Sequence, residues 1–137
     1  MNETLVFDPF DLDIELTPSS VRDAIARRDS LVALILAFRL NERSLLRAAY
    51  EAVPRADISL VSRQLPIVYL EKMLRFIAAR LDPAAGRSPH LEFDLLWVRA
   101  LLFAHGRYLR DHSVDYASAF RGVWKGLIDT EQNISRM

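Results

Sequence analysis

Two periodicities divide the chain. Between Phe10 and Leu16 apolar and acidic residues alternate: Phe10, Leu12, Ile14 and Leu16 are separated by Asp11, Asp13 and Glu15. A period of two predicts an extended arm with one apolar face. A lone strand has nothing to pair with, so the arm must pack on helices or join another sheet. Its own domain and a partner chain can both supply that surface.

From Thr17 onward the spacing changes to three and four, the period of amphipathic helices. Thr17-Pro18 predicts the first start, with Thr as N-cap and Pro at the first helical position. Val21, Ala24, Ile25 and Arg28 outline that helix, and Asp29-Ser30 interrupts it. Residues 31–40 are apolar nearly all round and predict a buried second helix. Asn41 breaks that run and can cap a third, with Leu45, Leu46, Ala49 and Val53 inward and Pro54 beyond its end. Asp57 opens a fourth through Leu60, Val61 and Leu65, halted at Pro66. A fifth places Val68, Leu70, Met73, Leu74, Ile77 and Leu81 inward.

Residues 82–89, with two prolines and a glycine, predict a loop. Ser88-Pro89 repeats the Thr17-Pro18 start and opens a long helix to about Arg110, the expected centre of the fold. The last helix begins near Ser113, with Ala117, Phe120, Val123, Trp124, Leu127 and Ile128 as its stripe. Ser118, Gly122 and Gly126 form a small-residue face at spacing four, suited to close approach of another backbone; each glycine costs about 1 kcal/mol relative to Ala. The pattern predicts an all-α fold of about seven helices in antiparallel pairs, as a bundle or short α-solenoid. It also predicts an extended acidic arm over residues 1–16 and a helical interaction domain over 17–137.

Charge changes this picture in one respect. Lys+Arg and Asp+Glu both number 18, yet the arm holds Glu3, Asp8, Asp11, Asp13 and Glu15 and no basic residue. The body is therefore mildly basic, and the arm is suited either to that body or to a basic partner. Arginine supplies all the basic residues except Lys72 and Lys125, which favours planar pairing with carboxylates and phosphates. The absence of cysteine excludes disulfides and thiolate metal sites. Met1 is followed by acidic rather than basic residues, unlike a secretory signal, and the apolar runs are too short to span a membrane. A soluble, intracellular chain is expected.

Catalytic patterns are missing. The glycines (86, 106, 122, 126) are isolated, so no phosphate-cradling loop can be built. His90, His105 and His112 lack the i, i+4 spacing of helical zinc sites, and the acidic arm lacks the glycine and distal Glu of a calcium loop. No serine sits in a nucleophile elbow. No catalytic residue, cofactor, metal or small-molecule substrate is therefore expected. Arg63, Lys72, Arg75 and Arg80 cluster on the fourth and fifth helices and are the candidates for RNA contact. The aromatics fall mostly on apolar stripes rather than among these cations, unlike an RNA-stacking surface.

Five segments, in order, carry a family resemblance: Phe10-Asp11-Leu12-Asp13; Phe38-Arg39-Leu40-Asn41-Glu42; Leu65-Pro66 with Tyr69-Leu70-Glu71-Lys72; His90-Leu91-Glu92-Phe93 before Leu95-Leu96-Trp97; and His105-Gly106-Arg107-Tyr108-Leu109. Together they resemble the C-terminal helical domain of the periodic tryptophan protein 2 family, from about residue 7 to about 128. The resemblance implies a nucleolar factor with two WD-repeat propellers ahead of this domain, within the B subcomplex of the small-subunit processome. It implies association with homologous C-terminal domains of other WD-repeat subunits, and indirect contact with pre-ribosomal and small nucleolar RNA. No propeller is present here, which implies a domain of a longer protein. Gly122 and Gly126 stand where the family pattern implies bulkier or polar residues, and part of the family's C-terminal tail is expected to be missing. The residues expected at partner surfaces are Phe7, Phe10, Leu12 and Ile14 of the arm, with Trp97, Tyr108, Phe120 and Trp124 of the long and last helices.

Overall fold

The computed structural model describes residues 16–82 and 90–135, with side chains through Gly126 and at Ile128. The described residues form seven α-helices and no strand. Two compact units divide the chain, residues 1–69 and 70–137. Of the arm only Leu16 is described; Phe7, Phe10, Leu12 and Ile14 lie outside the described residues.

In the first unit, α1 (Pro18–Ala26) starts as its sequence predicts. The Ser20 backbone N–H donates to Thr17 Oγ1 at 3.1 Å, with Pro18 in the first turn. Its end is set by Arg28, whose φ of 62° reverses the chain. The Asp29 N–H donates to the Ala24 carbonyl and the Arg28 N–H to that of Ile25, the paired closure that satisfies the last carbonyls of a helix. Helix α2 (Ser30–Leu40) buries every residue from Ala33 to Phe38, as its apolar run requires.

Asn41 does not cap the third helix. It terminates α2 in the left-handed conformation (φ 56°), and Glu42 precedes α3 (Arg43–Ala52). A short polar side chain tolerates that conformation better than most, so Asn serves a helix end as readily as a start. Helices α1, α2 and α3 pack mutually. A 3-10 turn (Arg55–Asp57), the short α4 (Ile58–Gln64) and a second 3-10 turn (Ile67–Tyr69) complete the unit. Tyr69 ties this last turn to the end of α2: its ring stacks on Phe38 at 5.3 Å, and Arg39 Nε donates to its hydroxyl at 3.0 Å.

The second unit holds α5 (Leu70–Leu81), α6 (Leu91–Asp111) and α7 (Ser113–Ser135). The proposed Ser88-Pro89 start lies outside the described residues; the described helix has His90 at its N-cap. Arg80 near the end of α5 meets Asp94 near the start of α6, so these two helices run antiparallel, as expected. Along α5 and α7, Ala78 faces Gly122 and Leu81 faces Gly126, so that pair runs parallel. It is also the most extensive helix contact of the unit. Helix α6 is not regular throughout: its dihedrals lapse at His105 (φ −120°, ψ 15°), beside Gly106.

Candidate interaction surface

The surface of the second unit follows from which face of α7 packs on α5. The buried positions of α7 are Tyr116, Ala119 and Val123, with Gly126 also enclosed. Among the described side chains this stripe shares only Val123 with the one expected from Ala117, Phe120, Val123, Trp124, Leu127 and Ile128; the Leu127 side chain lies outside the described residues. Both faces of α7 carry apolar residues, and the one used has Gly122 and Gly126 along its edge. A Cβ at Gly126 would lie 2.5 Å from Leu81 Cβ and 2.8 Å from its carbonyl oxygen, and one at Gly122 would lie 3.0 Å from Ala78 Cβ. Only glycine lets α7 approach this closely at position 126. Gly122 and Gly126 form an internal seam while Ser118 stays exposed, and of the bulkier stripe Trp124 and Ile128 are turned toward solvent.

Consequently Trp124 is 65% exposed, with Val114 (89%) before it and Ile128 beyond it on the same side of α7. Helix α6 contributes Phe103, 87% exposed, together with Leu95 and Leu102. Scattered surface hydrophobics are ordinary. Large residues this exposed, at helical spacing on two helices of one unit, mark a candidate contact face.

The residues expected at partner surfaces separate on these coordinates. Trp124 is exposed. Tyr108 and Phe120 are half-buried. Trp97 is fully buried, so the expectation of a surface tryptophan there is corrected: it lies with Phe93, Val98 and Leu101 on the buried side of α6. Phe103 and Val114 were missed. Phe103 belongs to an apolar run that nearly encircles its helix, and no sequence pattern marked its outward direction. Val114, at the start of the last helix, fell outside the stripe used to define it.

Tyr108 anchors the corner between α6 and α7. Its ring stacks on His112 at 4.0 Å and meets Tyr116 edge-on at 6.0 Å, while His112 Nδ1 lies 2.9 Å from the Tyr108 carbonyl oxygen. Burial first, and then the neighbouring Tyr108, pushes the Tyr116 phenol well above the usual tyrosine range.

The four cations expected to contact RNA do not form one free cluster. Arg80 Nε donates to the buried Asp94 at 2.8 Å, and its guanidinium lies over the Phe76 ring at 5.7 Å. Arg75 pairs with Glu71 one turn away at 2.9 Å. Lys72 is exposed, and Arg63, also exposed, belongs to the other unit. A groove of about 350 Å³ in the first unit, lined by Ile25, Arg28, Ala33, Ala49 and Pro54 among others, has Arg28 as its one charged group. It offers no acid–base pair. Among the described residues no group of three His, Asp or Glu could hold a metal, and no helix is long and apolar enough to cross a membrane.

An all-α domain with outward apolar residues on two helices of one unit is the class these observations define. The chain belongs to the Dip2/Utp12 family, whose sequence model matches residues 41–137. It is 39% identical over 133 residues to periodic tryptophan protein 2 of Saccharomyces cerevisiae, across 97% of this chain and 14% of that protein. The mouse homologue is 37% identical over 137 residues, 100% of this chain and 14% of its own length. The Neurospora crassa homologue is 44% identical over 110 residues, 80% of this chain and 12% of its own length. The chain thus spans about one seventh of the curated relatives it matches, and the resemblance carried by its five short segments is confirmed.

Proposed function

We propose that this chain is a non-catalytic scaffold domain of a ribosome-assembly factor. It associates with the homologous helical C-terminal domains of other WD-repeat subunits of the small-subunit processome during pre-ribosomal RNA processing. Pre-ribosomal and small nucleolar RNA are reached indirectly, through the assembly, and the site of action is the nucleolus. The membership of the Dip2/Utp12 family and the similarity to periodic tryptophan protein 2 support the setting. The observation that carries the scaffold reading is the exposure of Phe103, Val114 and Trp124 on α6 and α7. A rigid helix face with an aromatic anchor is what a stable protein interface needs at its centre.

Direct RNA binding through Arg63, Lys72, Arg75 and Arg80 is less well supported, because Arg80 and Arg75 already hold carboxylates. Co-expression of the chain with Dip2/Utp12-family domains of other subunits, followed by light scattering on the eluted species, tests the reading. Association that survives high salt and is abolished by Trp124→Arg or Phe103→Glu is expected. A chain that stays monomeric with every candidate domain, or that binds structured RNA with a steep salt dependence instead, contradicts it.

A further inference from the structure

We propose that the outer face of α7 docks an acidic amphipathic helix, one with an apolar ridge flanked by carboxylates. This deepens the scaffold reading and rests on it. Val114, Ala117, Arg121, Trp124 and Ile128 follow one another at steps of three and four, so they share one side of α7. At 1.5 Å per residue this stripe is about 21 Å long, roughly four helical turns. The opposite side, Tyr116, Ala119, Val123 and Gly126, is buried and includes the glycine seam with α5.

Among the described side chains, the charged groups on the outer stripe are of one sign. Arg121 within it and Lys125 at its edge are both exposed and bracket Trp124, and no carboxylate among the described side chains pairs with either. Asp115, the one acid between Val114 and Ile128, falls off the stripe. The outer face of α6, with Leu95, Leu102 and Phe103, carries both Arg99 and Glu92 and is of mixed sign, so the cationic ridge belongs to α7. An apolar ridge whose described charged groups, Arg121 and Lys125, are cations is complementary to one edged by carboxylates, and Arg121 can take a carboxylate bidentately.

The same charges argue against two other occupants. A second copy of this chain, ridge against ridge, would bring its own Arg121 and Lys125 to the same contact, and like-charge opposition disfavours that pairing. Single-stranded RNA would meet the cations but has little use for Val114, Ala117 and Ile128. Trp124 is the one aromatic on the stripe, whereas nucleic-acid platforms stack successive bases on several.

The test uses the whole 137-residue chain and two synthetic helical peptides about four turns long. Both have the same leucine ridge; one is flanked by glutamates, the other by lysines. Of the two tryptophans, Trp97 is buried and Trp124 exposed, so acrylamide quenching reports on Trp124. The glutamate peptide should shield Trp124 and bind at least about tenfold more tightly than the lysine peptide, with the gap narrowing in high salt. The double variant Arg121→Glu/Lys125→Glu, checked for unchanged helicity by circular dichroism, should reverse that preference. Equal binding of the two peptides, binding of neither, or no reversal in the double variant overturns the proposal. So does an RNA oligonucleotide that displaces the glutamate peptide, or a homodimer that shields Trp124. If the double variant still joins a related helical domain as well as the parent does, the scaffold reading stands and the acidic partner falls. If no related domain binds but the peptides still discriminate, the reverse holds.

Discussion

The glycines of the second unit allow three substitutions by alanine whose outcomes differ in sign. In a helix the exchange is worth up to about 1 kcal/mol of propensity. At Gly106 nothing lies within 4 Å of the added Cβ. Gly106→Ala should therefore stabilise, by up to that amount. At Gly122 the new methyl lies 3.0 Å from Ala78 Cβ, a few tenths of an ångström too close, so gain and strain should nearly cancel. At Gly126 it lies 2.5 Å from Leu81 Cβ and 2.8 Å from the Leu81 carbonyl oxygen. Neither atom can swing aside by changing rotamer. Helix α7 must move off α5 by about an ångström to restore an ordinary contact. Overpacking costs about 1–3 kcal/mol, and contacts this close with atoms that cannot give way put Gly126 in the upper part, about 2–3 kcal/mol. Net of the propensity gain, Gly126→Ala should lose about 1–2 kcal/mol. With the whole chain as the cooperative unit, that lowers Tm by about 3–7 °C. Thermal unfolding followed by circular dichroism at 222 nm reads all three variants. A Gly126→Ala protein as stable as the parent, or a Gly106→Ala protein less stable than Gly126→Ala, would refute the glycine seam.

The buried ion pair gives a second prediction. Asp94 is fully buried and Arg80 nearly so, and removing either partner alone leaves an uncompensated charge or donor, at a cost of about 3–5 kcal/mol. Urea denaturation of Arg80→Met, Asp94→Leu and the double variant should show the double losing clearly less than the sum of the singles. Arg28→Gly should raise stability by about 1 kcal/mol, since Arg28 holds φ at 62° and glycine adopts that conformation without the Cβ clash; chemical denaturation that shows no gain counts against the turn. Because the Tyr116 phenol is raised in the fold, its neutral form is the one the folded state favours. Its contribution is complete below the unfolded tyrosine value of about 10 and is lost as pH climbs above it. Tyr116→Phe should accordingly flatten the fall in stability between about pH 9.5 and 11.5, and an unchanged slope would rule out Tyr116 as its source.

The helices were legible because their signals are local. Thr17-Pro18 reads as a start, and it is one. The apolar run from Leu31 to Phe38 reads as buried, and Ala33 to Phe38 are buried. Asn41 reads as the break after α2, and it is; it does not cap α3, because the same residue type serves helix starts and left-handed ends and the spacing does not distinguish them. The site was less legible for a physical reason. Helix α7 carries apolar residues on both faces, and periodicity finds stripes without saying which one is covered. The choice depends on Gly122 and Gly126 meeting Ala78 and Leu81, residues more than forty positions away in sequence. Trp97 and Trp124 look alike as letters, yet one is enclosed and the other exposed. Likewise nothing local to Arg80 announces that Asp94, fourteen positions on, is its partner.

The central claim is that the exposed stripe of α7 is covered in the working assembly. Fluorescence quenching of Trp124 in a purified complex between this chain and a related helical domain tests that claim most directly, since Trp97 is buried and contributes a quencher-insensitive background. The quenchable fraction should vanish on complex formation and return when the partner is removed. A complex that forms while Trp124 stays as open to acrylamide as in the free chain would place the interface elsewhere.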